Sequence, residues 1–398
     1  MNLTHALSCH CLLLIVTAYF LLSLCGTMTS VAISLHFAAH DGGAALISAI
    51  LVSSACAQIF IAPLLAPVFD RFSARSIAIA ATVCEVVLLG IILVVPIAPV
   101  LIGVSLLSSA LAGLSIPALF TIADEYGDEK NQAATFSMLD TARLVGSFVG
   151  PVLSGLLLDI WSLRAAISVE IAANLIALAI LLVLKQASSA PESDDDPKTQ
   201  SFLARVLEAP ALLLRNEQSR AALMSIWAAI IFTSVFSVAL VFYAVDVLGA
   251  GGLGYAFLMQ AFVVGRILGA RRSKTIAPPR ALAVLTVCGI IMGISIALTG
   301  ILHNLIVAIT CFFIAGICNA LQVAALRLVI TSAVPAEIQP KALSSMGSVN
   351  TSAMLVGYII GAPIVTAAGP ALALMISGVG TALLTVLSPL VRNLRSRL

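Results

Sequence analysis

The feature that most constrains this chain is the length of its stretches without charge. Five stretches contain either no Asp, Glu, Lys or Arg or a single one of them: residues 1–69, 76–123, 221–265, 281–326 and 342–391. A helix needs about 20 apolar residues to cross the roughly 30 Å hydrocarbon core of a bilayer, so each stretch can cross it twice. A sixth stretch, with more charges, covers residues 131–184. The sequence therefore predicts an all-α polytopic membrane protein with twelve spans, TM1 to TM12.

The composition agrees with a chain whose main surroundings are lipid. The sequence is 61% hydrophobic and 10% charged, whereas soluble domains carry about 25% charged residues. The net charge of +2 is too small to indicate a nucleic-acid partner. We expect the lipid bilayer as the surrounding partner and no nucleic acid.

The positions of Lys and Arg predict the orientation. Cytoplasmic loops of membrane proteins are enriched in these residues. With twelve spans, Arg164 alone falls on the opposite side. All other loop and terminal cations fall on one side, among them Arg71, Arg75, Lys130, Lys198, Arg205, Arg215, Arg271, Arg272, Lys274, Arg280, Lys341, Arg392 and Arg395. We expect an inner (plasma) membrane protein with both termini in the cytoplasm.

Residues that bind metals or carry out catalysis are scattered along the chain. Most of the eight cysteines lie in predicted spans, where they behave as small apolar residues. Cys9 and Cys11 lie near His5 and His10, but this spacing is not a usual zinc pattern. The sequence contains no catalytic cluster and no phosphate-binding loop of the Walker type. We expect no metal, no cofactor and no enzymatic activity.

One long polar interval divides the chain into two halves. Residues 185–220 form a predicted cytoplasmic linker, with an acidic segment followed by a short amphipathic helix over residues 202–214. Residues 1–184 and 221–398 are then two six-helix bundles. They echo each other, because Gly146 and Gly150 recur as Gly357 and Gly361 at an offset of 211 residues. Internal repeats are typical of secondary transporters.

The predicted TM2–TM3 turn carries a charged motif. Asp70, Arg71 and Arg75 resemble the cytoplasmic TM2–TM3 signature of the major facilitator superfamily, whereas Ala66, Ser73 and Ala74 depart from it. The resemblance to this superfamily covers nearly the whole chain. It implies two bundles that alternate between inward-open and outward-open states.

The same resemblance implies a conformational latch. In the superfamily the Asp, here Asp70, faces the N-terminus of TM11, where the helix dipole favours a carboxylate. Asp124 or Glu125, at the end of TM4, is then expected to pair with Arg71 or Arg75. The alternative is a plain basic turn that only sets orientation.

A second motif lies on TM5. Gly146, Gly150, Pro151 and Gly155 resemble a glycine signature of drug/proton antiporters, with Ser154 in place of one further Gly. Glycines four apart let another helix approach closely, and Pro151 permits a bend. The resemblance implies a hinge where TM5 meets TM8 in an exporter. Ordinary tight packing is the alternative.

Four ionisable residues inside predicted spans are candidates for proton coupling. Glu85 lies in the middle of TM3, and Glu170 lies on TM6 near its outer end. Asp140 and Arg143 lie three apart on TM5 and can pair on one helix face. Such residues are costly in a membrane and are functional candidates by default. The alternatives are packing for Glu85, a structural ion pair for Asp140, and an extended side chain that reaches the outer interface for Glu170.

The superfamily resemblance also implies that TM1, TM4, TM7 and TM10 line a central cavity. Asn319 and Gln322 are the preferred substrate contacts, because an amide in lipid needs a partner. Trp227 and Tyr243 are further candidates, although Trp227 is also typical of an interfacial anchor. Hydroxyls such as those of Thr29 and Ser108 often bond their own backbone. Since none of these groups is ionisable, an amphipathic or apolar substrate is favoured.

Together these features predict a secondary active transporter that works by alternating access. The resemblance to the exporter branch that handles drugs and siderophores implies a monomer that exchanges protons for a small organic molecule. An importer or facilitator of a small metabolite with the same fold is the alternative. A membrane-embedded enzyme or a scaffold is disfavoured, because no set of clustered polar groups is present.

Overall fold

The computed structural model describes residues 3–39, 42–69, 71–126, 132–184, 217–333 and 339–395, and this part of the chain contains helices and no strands. We number the twelve principal helices in chain order: α1 Leu3–Ala38, α2 Gly43–Cys56, α3 Ala74–Val94, α4 Ala98–Tyr126, α5 Gln132–Ile160, α6 Leu163–Val183, α7 Glu217–Phe242, α8 Gly251–Arg272, α9 Ala281–Ile301, α10 Leu305–Ala333, α11 Gln339–Ala368 and α12 Pro370–Arg395.

Eleven helices in the described residues are long and apolar enough to cross a membrane, and α12 contributes the shorter apolar segment Pro370–Val386. Two spans are extended by π-helical turns, Ala57–Ile61 after α2 and Tyr243–Val247 after α7. The prediction of an all-α protein with twelve helical spans is confirmed. The predicted linker helix over residues 202–214 lies outside the described residues, and so does Asp70.

The helices cluster into two compact units. The first contains Met1–His40 and Cys56–Asp196, and the second contains Asp41–Ala55 and Pro197–Leu398. Most of α2 therefore clusters with the C-terminal helices, whereas the sequence placed it with the N-terminal bundle. Ser48 on α2 donates a hydrogen bond to the carbonyl oxygen of Tyr358 on α11, which ties α2 to this second unit.

In the first unit, α1 is the central helix. It packs along α5, α6 and α4, while α3 packs against α4 and α6. In the second unit, α7 packs against α11 and α12, and α9 packs against α10 and α12. The helix that follows the N-terminus and the helix that follows the linker thus have equivalent neighbours in their own units.

The two units repeat not only glycines but also the contacts those glycines make. A Cβ on Gly146 would lie 2.6 Å from the carbonyl oxygen of Phe20, and a Cβ on Gly357 would meet the carbonyl oxygen of Ile231. Ile231 follows Phe20 by 211 residues, the same offset that separates the two glycines. Contact partners that shift together with the glycines support duplication of a six-helix unit.

Candidate functional site

The most deeply buried carboxyl side chain in the described residues belongs to Glu170. Helix α6 starts at the N-cap Ser162, whose hydroxyl accepts a hydrogen bond from the amide of Ala165, and Glu170 follows about two turns later. Its exposed fraction is 0%. The Thr29 hydroxyl on α1 donates to Glu170 Oε2 over 2.6 Å, while Oε1 has no hydrogen-bond partner in the described structure.

Further polar groups converge on the same turn of α6. The Cys25 thiol donates to the backbone carbonyl of Glu170 over 3.6 Å, and Asn174 Nδ2 donates to that carbonyl over 3.0 Å. Asn174 is itself fully buried, and its Oδ1 has no hydrogen-bond partner among the described residues. Two buried acceptor oxygens thus lie one helical turn apart without a donor, which is a costly arrangement for buried polar groups.

The second carboxyl of this cluster is that of Glu85 on α3. Its Oε1 accepts a hydrogen bond from the Ser108 hydroxyl of α4 over 2.8 Å. Helix α3 packs against α6, the helix of Glu170. We call Glu85, Glu170, Thr29, Cys25, Asn174 and Ser108 the carboxyl cluster. The alternative that Glu170 reaches the outer interface is wrong, because α6 turns this side chain into the bundle.

The other two proton-coupling candidates form a more exposed pair. Arg143 Nε lies 3.5 Å from Asp140 Oδ1 on α5, which confirms the predicted pairing, and the side chains are 45% and 56% exposed. Next to this pair lies a groove of ≈ 450 Å³ between α1 and α5. Its lining is mostly apolar and comes from Val16, Thr17, Phe20, Ser137, Met138, Thr141, Ala142 and Val145.

The glycine motif of α5 faces α1. A Cβ on Gly150 would lie 2.6 Å from the carbonyl oxygen of Leu24 and would collide with the Thr27 hydroxyl. The Ser154 hydroxyl donates to the Met28 carbonyl over 3.1 Å. Gly155 is buried, and α5 continues through Pro151 without a break. The close approach at these glycines, which the sequence assigned to TM8, is therefore made by α1. It provides close packing within the first unit.

The predicted latch residues have different partners from those expected. Arg75 donates from Nε to the Leu181 carbonyl over 3.1 Å and from Nη2 to the Leu182 carbonyl over 2.8 Å, so it caps the end of α6. Arg71 and Asp124 are exposed. Within the described residues, neither Asp124 nor Glu125 forms an ion pair with Arg71 or Arg75, so that expected pairing is wrong. The role of Asp70 stays a prediction.

Two of the predicted cavity residues, Trp227 and Tyr243, contribute to helix packing in the second unit. Tyr243 is fully buried and donates to the Thr299 carbonyl over 2.5 Å at the end of α9. Trp227 packs on the apolar core between α7 and the later helices, and its indole nitrogen is buried; the interfacial-anchor alternative stays a prediction. The two residues are 16 positions apart, about 24 Å along a helix, and do not form one site.

The two amides on α10 lie at contacts with α9. Asn319 Nδ2 donates to the Met292 sulfur over 3.8 Å. Gln322 is almost fully buried, and its Nε2 would lie 2.6 Å from a Cβ on Gly289, so this glycine makes room for the amide. Both amides are used in helix packing here, and their role as substrate contacts stays a prediction.

The hydrogen-bond partners of the carboxyls are not indicated by the sequence pattern. The hydroxyls of Thr29 and Ser108 bond carboxyls instead of only their own backbone, and Cys25 and Asn174 belong to the same cluster. Thr29 does bond the Cys25 carbonyl of its own helix, over 3.1 Å, but it also reaches Glu170. The i,i+4 spacing of Glu170 and Asn174 was the signal that could have indicated a shared polar face.

Comparisons with known proteins agree with this architecture. The family profile described as Major Facilitator Superfamily matches residues 15–358. The chain belongs to this superfamily. The search of curated proteins found no match. As membership of this superfamily indicates, the protein is a transporter that carries a small molecule across a membrane, and not an enzyme.

Several solved transporters share the fold at low sequence identity. The nucleoside transporter NupG aligns with a TM-score of 0.75 at 14% identity, over 98% of this chain and 98% of its own. The POT family transporter PepTSo aligns with a TM-score of 0.70 at 13% identity, over 96% and 97%. The human organic anion transporter MFSD10 (TETRAN) aligns with a TM-score of 0.61 at 14% identity, over 98% and 100%. These likenesses establish the fold and leave the substrate open.

Proposed function

We propose that the protein is a proton-coupled exporter of a small amphipathic or apolar organic molecule, and that Glu170 binds the coupling proton. The observation that carries this proposal is the complete burial of Glu170, which forms no ion pair among the described residues. An ionised carboxylate in such a place is costly, whereas a carboxyl that gains and loses a proton during transport has a reason to be there.

The distribution of carboxyls supports the first unit as the place of proton exchange. Residues 281–326 and 342–391 contain no ionisable carboxyl, and in the described part of the second unit Asp246 is exposed. Helix contacts between α7 and α12 rely on hydroxyls, such as that of Thr233 with that of Thr381 at 2.9 Å. A carboxyl-based proton site therefore has its candidates in the first unit.

The proposed substrate class follows from the groove between α1 and α5. Its apolar lining lies next to the Asp140–Arg143 pair, so the surface offers apolar area beside one ion pair. This combination suits an amphipathic molecule such as a drug or a siderophore-like metabolite. The export direction rests on the resemblance of the α5 glycine motif to that of antiporters.

Proton movement in liposomes that contain the purified full-length protein tests the proposal. A pH dye is trapped inside, and a macrolide, a hydroxamate siderophore, a nucleoside and a dipeptide are added in turn. We expect one probe to trigger proton flux in the wild type, and we expect E170Q to abolish it. D246N is the matched control, because it also replaces a carboxyl with an amide, at an exposed position, and it should retain the flux.

Three outcomes would contradict parts of the proposal. Solute flux without proton flux would contradict antiport and favour a facilitator. Accumulation of the active probe in cells that express the protein would contradict export and favour an importer. Flux that survives in E170Q but is lost in E85Q or D140N would move the proton site to one of those residues.

A further inference from the structure

The hydroxyl of Thr29 has one proton and two acceptors within reach. Its Oγ1 lies 2.6 Å from Glu170 Oε2 and 3.1 Å from the carbonyl oxygen of Cys25. A threonine hydroxyl donates one hydrogen bond at a time. The protonation state of Glu170 therefore decides which acceptor the hydroxyl uses.

The two states of Glu170 give two hydrogen-bond patterns. When the carboxyl is ionised, Thr29 donates to Oε2, because a bond to a charged acceptor is about twice as strong as one to a neutral carbonyl. When the carboxyl is protonated, the proton is expected on Oε2, because there it can donate a hydrogen bond to Thr29. On Oε1 it would have no acceptor in the described structure. The carboxyl then donates to Thr29 Oγ1, and the hydroxyl turns to the Cys25 carbonyl.

We propose that Thr29 is a positioning residue whose hydroxyl switches between Glu170 and the Cys25 carbonyl, so that proton binding at Glu170 changes how α1 is held. This inference rests on the proposed function, in which Glu170 exchanges a proton. In the ionised state α1 is tied to α6 by a charge-assisted bond. In the protonated state a neutral bond from Glu170 to Thr29 remains, and the Thr29 hydroxyl now donates to the backbone of α1, a type of bond that often bends helices.

The segment of α1 that switches is also the segment held by the α5 glycine motif. Gly150 faces Leu24 and Thr27, and Ser154 donates to the Met28 carbonyl. Residues 24–29 of α1 thus lie between the Glu170 carboxyl on one side and the close-packed face of α5 on the other. A bend in this segment changes the α1–α5 contact directly, without an intervening element.

The titration of Glu170 depends on which other ionisable groups lie near its carboxyl. Cys25 contacts the Glu170 backbone from α1, Glu85 lies on the packed helix α3, and Glu170 forms no ion pair among the described residues. The next ionisable groups along the helices packed against it are His36 on α1, Arg164 on α6 and Asp159 on α5. His36 and Arg164 lie seven and six residues from Thr29 and Glu170, which is about 10 Å along each helix.

Infrared difference spectra of the full-length protein in lipid nanodiscs, recorded as the pH is changed, test the switch without a substrate. The carboxyl band that E170Q removes is the band of Glu170. We expect T29S to titrate like the wild type, because serine keeps the donor. We expect T29V to lower the ratio of ionised to protonated Glu170 at a fixed pH about tenfold, because the loss of a hydrogen bond to a charged group has that magnitude.

T82V is the matched control, since Thr82 is a buried hydroxyl of the same unit that bonds only its own helix at Ala78. It should leave the Glu170 titration unchanged. T29A gives a second measurement of the lost donor if T29V does not fold. A T29V or T29A titration equal to the wild type overturns the switch alone, and proton flux in liposomes then still supports the proposed function. If the wild-type spectra contain no titrating band that E170Q removes, both the switch and the role of Glu170 as the proton site are overturned.

Discussion

Side chains of one chemical type have very different surroundings in this protein. Asp140 keeps 56% of its side chain exposed and pairs with Arg143, whereas Glu170 is fully buried and pairs with a hydroxyl. Exposed ion pairs contribute about 0–1 kcal/mol to stability. A buried carboxyl without a cation costs stability instead, so Glu170 is the carboxyl whose presence calls for a function.

At the same scale, Arg75 is expected to stabilise the last turn of α6. R75A removes two hydrogen bonds from a cation to the Leu181 and Leu182 carbonyls, and we expect a local loss of about 1 kcal/mol. Hydrogen exchange of the amides at residues 180–184 measures it. R71A, which changes an exposed neighbour, should leave this exchange unchanged, and equal protection in both variants would contradict the capping role.

Among the helices, α1 and α5 approach each other more closely than side chains would allow. Glycines on α5 face the α1 backbone, and the second unit repeats this between α11 and α7. The Ser234 side chain and the Ile231 carbonyl occupy the space that a Cβ on Gly357 would need. These close contacts pack α1 and α5 together within the first unit.

The close approach predicts opposite effects for two glycine substitutions. G150A places a methyl group against the Leu24 carbonyl and the Thr27 hydroxyl, and we expect a loss of about 1–3 kcal/mol in stability. G103A on α4 adds a methyl group where nothing lies within 4 Å, and we expect a gain of up to about 1 kcal/mol. Thermal unfolding of the purified variants in detergent compares them. Similar melting temperatures for G150A and G103A would contradict the packing argument.

For the molecule as a whole, the positions of cations predict the topology. Arg71, Arg75, Arg271, Arg272 and Lys274 lie at the ends of helices on one side of the predicted arrangement. The loop between α9 and α10 lies on the opposite side and contains no Lys or Arg. From the positive-inside rule we therefore predict that both termini lie in the cytoplasm.

Reporter fusions test this topology. We expect alkaline phosphatase inserted after Asn304, between α9 and α10, to be active, because this loop should lie outside the cytoplasm. The same enzyme inserted after Thr275, between α8 and α9, is the control and should be inactive. Phosphatase activity of the insertion at Thr275, with none at Asn304, would show the opposite orientation and contradict the predicted topology.

The sequence alone determined the number and type of the elements. Charge-free stretches of more than 40 residues can be accommodated only as pairs of membrane helices. Local spacing was equally informative, since three positions on a helix bring Asp140 and Arg143 together wherever that helix packs. The same applies to the repeated glycines, which are readable at a fixed offset.

Only the tertiary structure decided which way each helix faces. Helix α9 is apolar all round, so no polar stripe indicates the side that packs inward, and on α6 the spacing of Glu170 and Asn174 does not indicate which neighbouring helix they face. The direction of Glu170, the use of Arg75 as a cap and the burial of Tyr243 all depend on that rotation. The rotation is set by neighbours distant in sequence, and for this reason the hydroxyl that pairs with Glu170 comes from a helix 141 residues earlier in the chain.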